Sequence, residues 1–144
     1  MNDFEIVKVL NRNLEKEYGS VLLYIQFMNL VETAKERGLK NIVSRLAEDE
    51  MRHAEKISDR IVEMGGEPSW RVSPFDRKSN LRESIEQIIA SEEDAIREYT
   101  SLISKIEDLP KVWITLKEIL EDEKSHRTRT EALLRANISL FGDI

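Results

Sequence analysis

Both histidines of this chain close the same kind of hexamer, Glu48-Asp49-Glu50-Met51-Arg52-His53 and Glu121-Asp122-Glu123-Lys124-Ser125-His126. Each follows a glutamate by three residues. Positions i and i+3 share one side of an α-helix, so each hexamer offers a carboxylate and an imidazole together, the donors of a transition-metal site. The shared Glu-Asp-Glu triplet makes coincidence a poor account of the match.

Composition limits what metal chemistry is open. The chain has no cysteine, which excludes disulfides, thiolate zinc, iron–sulfur clusters and a thiol nucleophile. Any metal must take oxygen and imidazole ligands. With 28 acidic against 22 basic residues the net charge is −6, which disfavours nucleic-acid binding through phosphate neutralisation and favours cations as partners. The N-terminus Met1-Asn2-Asp3-Phe4-Glu5 lacks the basic and apolar regions of a secretory signal, and the apolar-rich run Val21 to Val31 is too short to span a bilayer. The expected location is cytoplasmic, with no membrane and no nucleic acid as partner. At 144 residues the length suits one domain, 1–144, with a single core.

The elements that must carry the hexamers read as four helices, because glycine and proline are scarce and apolar residues recur at three and four positions between them. The first is predicted over about 4–36, after an Asn2/Asp3 cap, with Leu10, Leu14, Val21, Met28 and Val31 inward and Gly38 ending it. The second, about 39–64, carries Ile42, Leu46, Ile57, Ile61 and Met64 and stops at Gly65-Gly66. The third, 81–107, follows Asn80 with Glu83 as its capping partner, and turns Ile85, Ile88, Ile89, Ala95, Ile96, Leu102, Ile103 and Ile106 inward. Asp108 and Pro110 open the fourth, 109–136, with Trp113, Leu116, Leu120, Leu133 and Leu134 inward.

Short outer connections make the first two helices, and the last two, antiparallel neighbours. The middle connection, 65–79, can stretch to roughly 50 Å, while a 26-residue helix is about 39 Å long. It can therefore run the height of a four-helix bundle as a long crossover. The expected fold is all-α.

Acidic residues interrupt the apolar stripes at matching places. Glu17 falls between Leu14 and Val21, Glu92 between Ile89 and Ala95, Glu50 and His53 between Leu46 and Ile57, and Glu123 and His126 between Leu120 and Leu133. Burying four carboxylates uncompensated would cost several kcal/mol each, so they must take protons or cations. Two divalent ions would neutralise four carboxylates, and two imidazoles would supply one nitrogen to each. Glu17 with Tyr24 recurs as Glu92 with Tyr99 after 75 positions, and the hexamer recurs after 73. This faint duplication implies a dinuclear site with pseudo-twofold symmetry. Glu15, Glu48, Glu55, Glu93, Glu98 and Glu121 read as solvated charge.

At these residues the chain resembles the ferritin-like diiron-carboxylate proteins, most closely their bacterioferritin and rubrerythrin branch. Leu10-Asn11-x-x-Leu14-x-x-Glu17, Asp49-Glu50-Met51-Arg52-His53-Ala54, the turn after Arg60-Ile61, and Ile119-Leu120-Glu121-Asp122-Glu123 carry the likeness, which covers nearly the whole chain. The resemblance implies that Glu50 and Glu123 bridge two irons, with Glu17 and His53 completing one and Glu92 and His126 the other. It makes Tyr24 and Tyr99 hydrogen-bond donors beside the cluster, and Asp49 and Asp122 the groups that orient the imidazoles across the bundle. It also implies haem at Met51, between two subunits. The chain departs from the branch in two ways. It stops at Ile144, too soon after the fourth helix for the short fifth helix of bacterioferritin cages, and it lacks the cysteines of a rubredoxin-type iron site.

The function implied is a dinuclear iron oxidoreductase in which O2 or H2O2 oxidises two Fe2+, of ferroxidase or peroxidase type, with an external electron donor if peroxidase. Manganese fits the same donors. The alternatives are a storage or assembly protein whose metals are structural, a substrate-oxidising enzyme of the same fold, or a metal-free helical interaction module. Leu22, Leu23, Ile25, Phe27 and Leu30 exceed one bundle face, which predicts a homodimer or larger homo-oligomer through the first two helices.

Overall fold

The structure, a computed structural model, describes residues 1–35, 37–137 and 141. Helices α1 (Asp3–Thr33), α2 (Arg37–Glu63), α3 (Leu81–Ile103) and α4 (Pro110–Ala136) are its elements, with no strand among the described residues. α1 packs on α2 and α3, and α4 packs on α3 and α2, so the four form a bundle. None of these helices is long and apolar enough to cross a membrane. Residues 138–140 and 142–144, on which the expectation about a fifth helix bears, lie outside the described residues.

Local chemistry explains most helix ends. Asn2 caps α1 reciprocally, accepting from Glu5 N at 2.9 Å while Glu5 accepts from Asn2 N at 3.0 Å. Asn80 caps α3 by accepting from Glu83 N at 2.8 Å. α4 begins at Pro110 with Leu109 before it and no side-chain cap, so Asp108 does not play the part expected of it. Nor does Gly38 end α1. That helix stops at Thr33, Lys35 takes the left-handed turn at φ 62°, and Gly38 lies in the first turn of α2. Gly65, at φ 80°, supplies the left-handed residue after α2.

The crossover, 64–80, climbs along α1. Asn11 binds its start, donating to Glu67 O at 3.0 Å and accepting from Ser69 N at 2.7 Å. Ser73 N donates to Glu15 O at 3.0 Å, and Lys78 N to Gln26 Oε1 at 2.8 Å. From Asn11 to Gln26 is about 22 Å of helix at 1.5 Å per residue, so these tethers fix the segment along about half the length of the 31-residue α1. Glu15, read as solvated, is instead a tether: it also accepts from Ser69 Oγ at 2.6 Å.

The apolar interior is divided. One cluster holds Leu10, Leu14, Ile57, Ile61, Leu102 and Leu116, and a second holds Phe27, Val31, Val43, Leu46, Ile85 and Ile88. Two of the expected core assignments move. Ile42 is 45% exposed while Leu39, Val43 and Leu46 are buried, so the α2 stripe runs through positions four and three apart that leave Ile42 beside it. Leu23 and Phe27 lie in the core of their own chain and are not surplus apolar surface.

Candidate metal centre

Between the two apolar clusters lies a polar layer to which every helix contributes. Glu17 from α1, Glu50 and His53 from α2, Glu92 from α3, and Glu123 and His126 from α4 are each at most 3% exposed. The spacing that placed them on one stripe is what buries them, since each stripe faces the bundle axis. Ionisable groups at this depth need partners.

One ligand atom from each of Glu17, Glu50, His53 and Glu123 falls within 4.8 Å of the others, and so does one from each of Glu92, Glu123 and His126. Glu123 belongs to both groups. The imidazoles reach across the bundle: His53 Nδ1 lies 3.1 Å from Glu123 Oε1, and His126 Nδ1 lies 2.9 Å from Glu50 Oε1. The two rings stack with centroids 5.7 Å apart. Their outer nitrogens are held by the aspartates that precede the opposite glutamates, His53 Nε2 at 2.9 Å from Asp122 and His126 Nε2 at 2.9 Å from Asp49. Asp49 is itself paired with Arg52. A carboxylate on Nε2 keeps a proton there and turns Nδ1 toward the carboxylate cluster, where it can offer its lone pair to an ion once any proton on it has left.

The tyrosines exchange halves. Tyr24, on the helix of Glu17, donates to Glu92 Oε2 at 2.7 Å, and Tyr99, on the helix of Glu92, donates to Glu17 Oε1 at 2.6 Å. Residues 75 apart in sequence thus lock each other's carboxylates. The symmetry then fails at one point. Thr130 Oγ1 donates to Glu92 Oε1 at 2.6 Å, so both oxygens of Glu92 are engaged. The equivalent position of α2, four residues after its histidine, is Ile57. Glu17 Oε2 is buried and without a hydrogen-bond partner, 3.6 Å from His53 Nδ1.

Proton affinities are pulled apart by this packing. Burial, with the charges of Glu17 and Glu123, drives the Glu50 carboxyl well above its usual range. Burial pushes Glu92 up to about 8 against the hydrogen bonds from Thr130 and Tyr24. Burial works to lower His53, but hydrogen bonds to Glu123 and Glu17 and their charges carry it up to about 10. His126 goes down, because burial and the nearby His53 and Arg129 outweigh Glu123 and Asp122. Glu17 also goes down: burial raises it, yet the adjacent Glu50 carboxyl and His53 imidazole and the hydrogen bond from Tyr99 prevail. Protons on Glu50, His53 and Glu92 thus do part of the charge balancing that cations could do.

The donor set, carboxylate oxygens with imidazole nitrogen and no sulfur, suits iron, and Glu17 Oε2 is a buried acceptor left without a hydrogen bond of its own. All six expected site residues converge here, and Tyr24, Tyr99, Asp49 and Asp122 contact them. Met51 does not: it is 59% exposed on the outside of α2. Sequence reasoning passed over Thr130 and Asn13. Thr130 could have been found as the polar residue one turn beyond His126, and Asn13 as the polar break one turn before Glu17.

The profile of the family described as the ferritin-like domain matches residues 7–137. A bacterioferritin of Desulfovibrio desulfuricans is 30% identical over 142 residues, covering 96% of this chain and 79% of that protein. Among solved structures, Mycobacterium tuberculosis bacterioferritin BfrA superposes with a TM-score of 0.88 at 25% identity, over 96% of this chain and 89% of that one. The D. desulfuricans bacterioferritin, solved with its diiron site in different catalytic states, gives a TM-score of 0.87 at 23% identity, over 96% and 82%.

Proposed function

This chain belongs to the ferritin-like domain family, and on that premise we propose that it is an iron-handling oxidoreductase that takes up two Fe2+ per chain and passes their electrons to O2 or H2O2. The observation that carries this reading is the buried pair of donor groups joined through Glu123. Glu50 and Glu123 are the residues we assign to both ions, Glu17 and His53 to one, and Glu92 and His126 to the other.

Bound iron supplies the redox chemistry, two electrons from adjacent ions. The chain does the rest. Its carboxylates hold cationic charge and stabilise it further as that charge rises on oxidation. Asp49 and Asp122 keep the imidazoles facing inward, and Tyr24, Tyr99 and Thr130 hold the terminal carboxylates in place before any ion arrives, which lowers the reorganisation needed on binding. Protons on Glu50, His53 and Glu92 leave as Fe2+ enters, so uptake releases acid. The apolar clusters on either side of the layer shield it along the bundle axis.

Similarity to bacterioferritins supports storage as part of the same role, along with assembly into a homo-oligomer. Exposed Leu22, Ile25 and Met51 on α1 and α2 are the apolar surface we assign to a contact between copies. Haem at Met51 would need that second copy, because Met51 stands on the surface; a reduced pyridine haemochrome spectrum of the purified protein tests it. The function is tested by anaerobic Fe2+ titration followed by oxidant. Two irons per chain and rapid consumption of O2 or H2O2 are expected. Tight binding without turnover would indicate structural metals, and no binding would leave a helical interaction module.

A further inference from the structure

A cavity of about 300 Å³ opens between α1, α3 and the crossover, and its inner end is formed by Glu17 and Tyr99. Such a volume is about ten times the share of one water molecule in the liquid, more than a hydration site needs and at the lower end of organic ligand sites. Close approach of the crossover makes its outer wall. A Cβ on Gly19 would stand 3.1 Å from Ser73 O, so the glycine lets the strap lie against α1.

Two polar atoms of its lining have no hydrogen-bond partner, Glu17 Oε2 and the amide nitrogen of Asn13. Asn13 lines the cavity at 4% exposure, and its Nδ2 is buried without an acceptor. Leaving such a donor unpaired costs about 1–3 kcal/mol, a penalty that a ligand oxygen would remove. Around it the wall is mixed: Leu23 and Phe75 are apolar, while Ser20 and Ser91 satisfy each other at 3.1 Å. Charge at the rim argues for a neutral occupant. Lys16 is the cation there, and it is already paired with Asp94 at 2.9 Å and with Glu98. With Glu17 at the floor, three carboxylates face one ammonium, so an anion would be repelled, while the inward amide presents a donor rather than a cation ligand.

We propose that this cavity binds a small neutral organic molecule with an acceptor oxygen, of the ketone or alcohol class, hydrogen-bonded to Asn13 and seated beside Glu17. Only its placement next to a reactive centre rests on the reading of Glu17 as an iron ligand. The seat itself is a property of the folded chain. It also makes the site one-sided: the Glu17 half meets the cavity, whereas Glu92 has both oxygens occupied by Tyr24 and Thr130.

The test is a titration of 15N-labelled protein, metal-free and Zn2+-loaded, with cyclohexanone, cyclohexanol and cyclohexanecarboxylate, followed by NMR on the Asn13 side-chain amide. Saturable shifts with the ketone and alcohol are expected, and binding of the carboxylate should be at least about tenfold weaker. Asn13→Leu should weaken cyclohexanone by at least about fivefold while raising the melting temperature, because it removes the unpaired amide. Ser91→Leu, which fills the wall and leaves Asn13 in place, should weaken it as well. Absence of a saturable shift, water alone on Asn13, equal affinity for the carboxylate, or unchanged affinity in Asn13→Leu would each overturn the proposal. Because the titration includes metal-free protein, its outcome is independent of whether the chain takes up iron.

Discussion

Glu123 lies within ligand reach of both donor groups, whereas Glu17 serves one and Glu92 the other. Glu123→Ala should therefore abolish the binding of both ions, while Glu17→Ala should leave one. An anaerobic Co2+ titration, read by visible absorbance, checks the stoichiometries; two ions still bound to Glu123→Ala would sink the bridging role. Thr130→Val removes the 2.6 Å bond to Glu92 but keeps the shape of the side chain. It should weaken one of the two ions by about 10–100-fold, the usual cost of losing an outer hydrogen bond to a ligand. The buried protons carry a pH signature. Glu92 is raised from 4.5 to about 8 and His53 from 6.5 to about 10, so between pH 6.5 and 8 the native metal-free chain holds protons that the unfolded chain has released. Its stability must fall as pH rises through that window. The downward shift of His126 acts below its ordinary 6.5 and does not offset this. Urea midpoints for metal-free protein should drop across the window, and metal affinity should rise, since ions replace the same protons.

At the scale of elements, turns and close approaches hold the helices in register. Lys35 occupies a left-handed conformation at φ 62° that costs a side-chain-bearing residue about 1 kcal/mol. Lys35→Gly should relieve it and raise the urea midpoint slightly. Gly66 is the opposite case: an added Cβ would meet Val7 Cγ1 at 2.6 Å and Ile61 Cγ2 at 3.1 Å. Gly66→Ala should destabilise by about 1–3 kcal/mol through overpacking where the crossover leaves α2. A midpoint equal to that of the parent would mean that this end of the bundle yields more readily than its packing indicates. The helix periodicity of the sequence was enough to find α1 to α4, because each apolar stripe is long and broken by few glycines. It misplaced the α1–α2 turn, since a non-glycine residue took the left-handed position that Gly38 was expected to supply.

For the whole molecule, Leu22 and Ile25 on α1 and Met51 on α2 are large apolar side chains left exposed. Sedimentation at micromolar concentration should give a mass of at least two chains, and Leu22→Glu with Ile25→Glu should reduce it; a monomeric parent protein would remove the basis for a contact there. The bundle and the six inward ionisable groups were legible in residue spacing, because helical periodicity converts spacing into facing, and an acidic residue on an apolar stripe has nowhere to go but inward. Tertiary structure alone decided how those groups pair. Tyr24 binds Glu92 rather than its own neighbour Glu17, His53 meets Glu123 and Asp122, and His126 meets Glu50 and Asp49. Spacing along one helix states which residues share a side, but which atoms meet across the axis depends on the relative height and rotation of separate helices. The same reason hid Thr130 and Asn13, whose importance lies in a bond made, and a bond left open, between elements far apart in the chain.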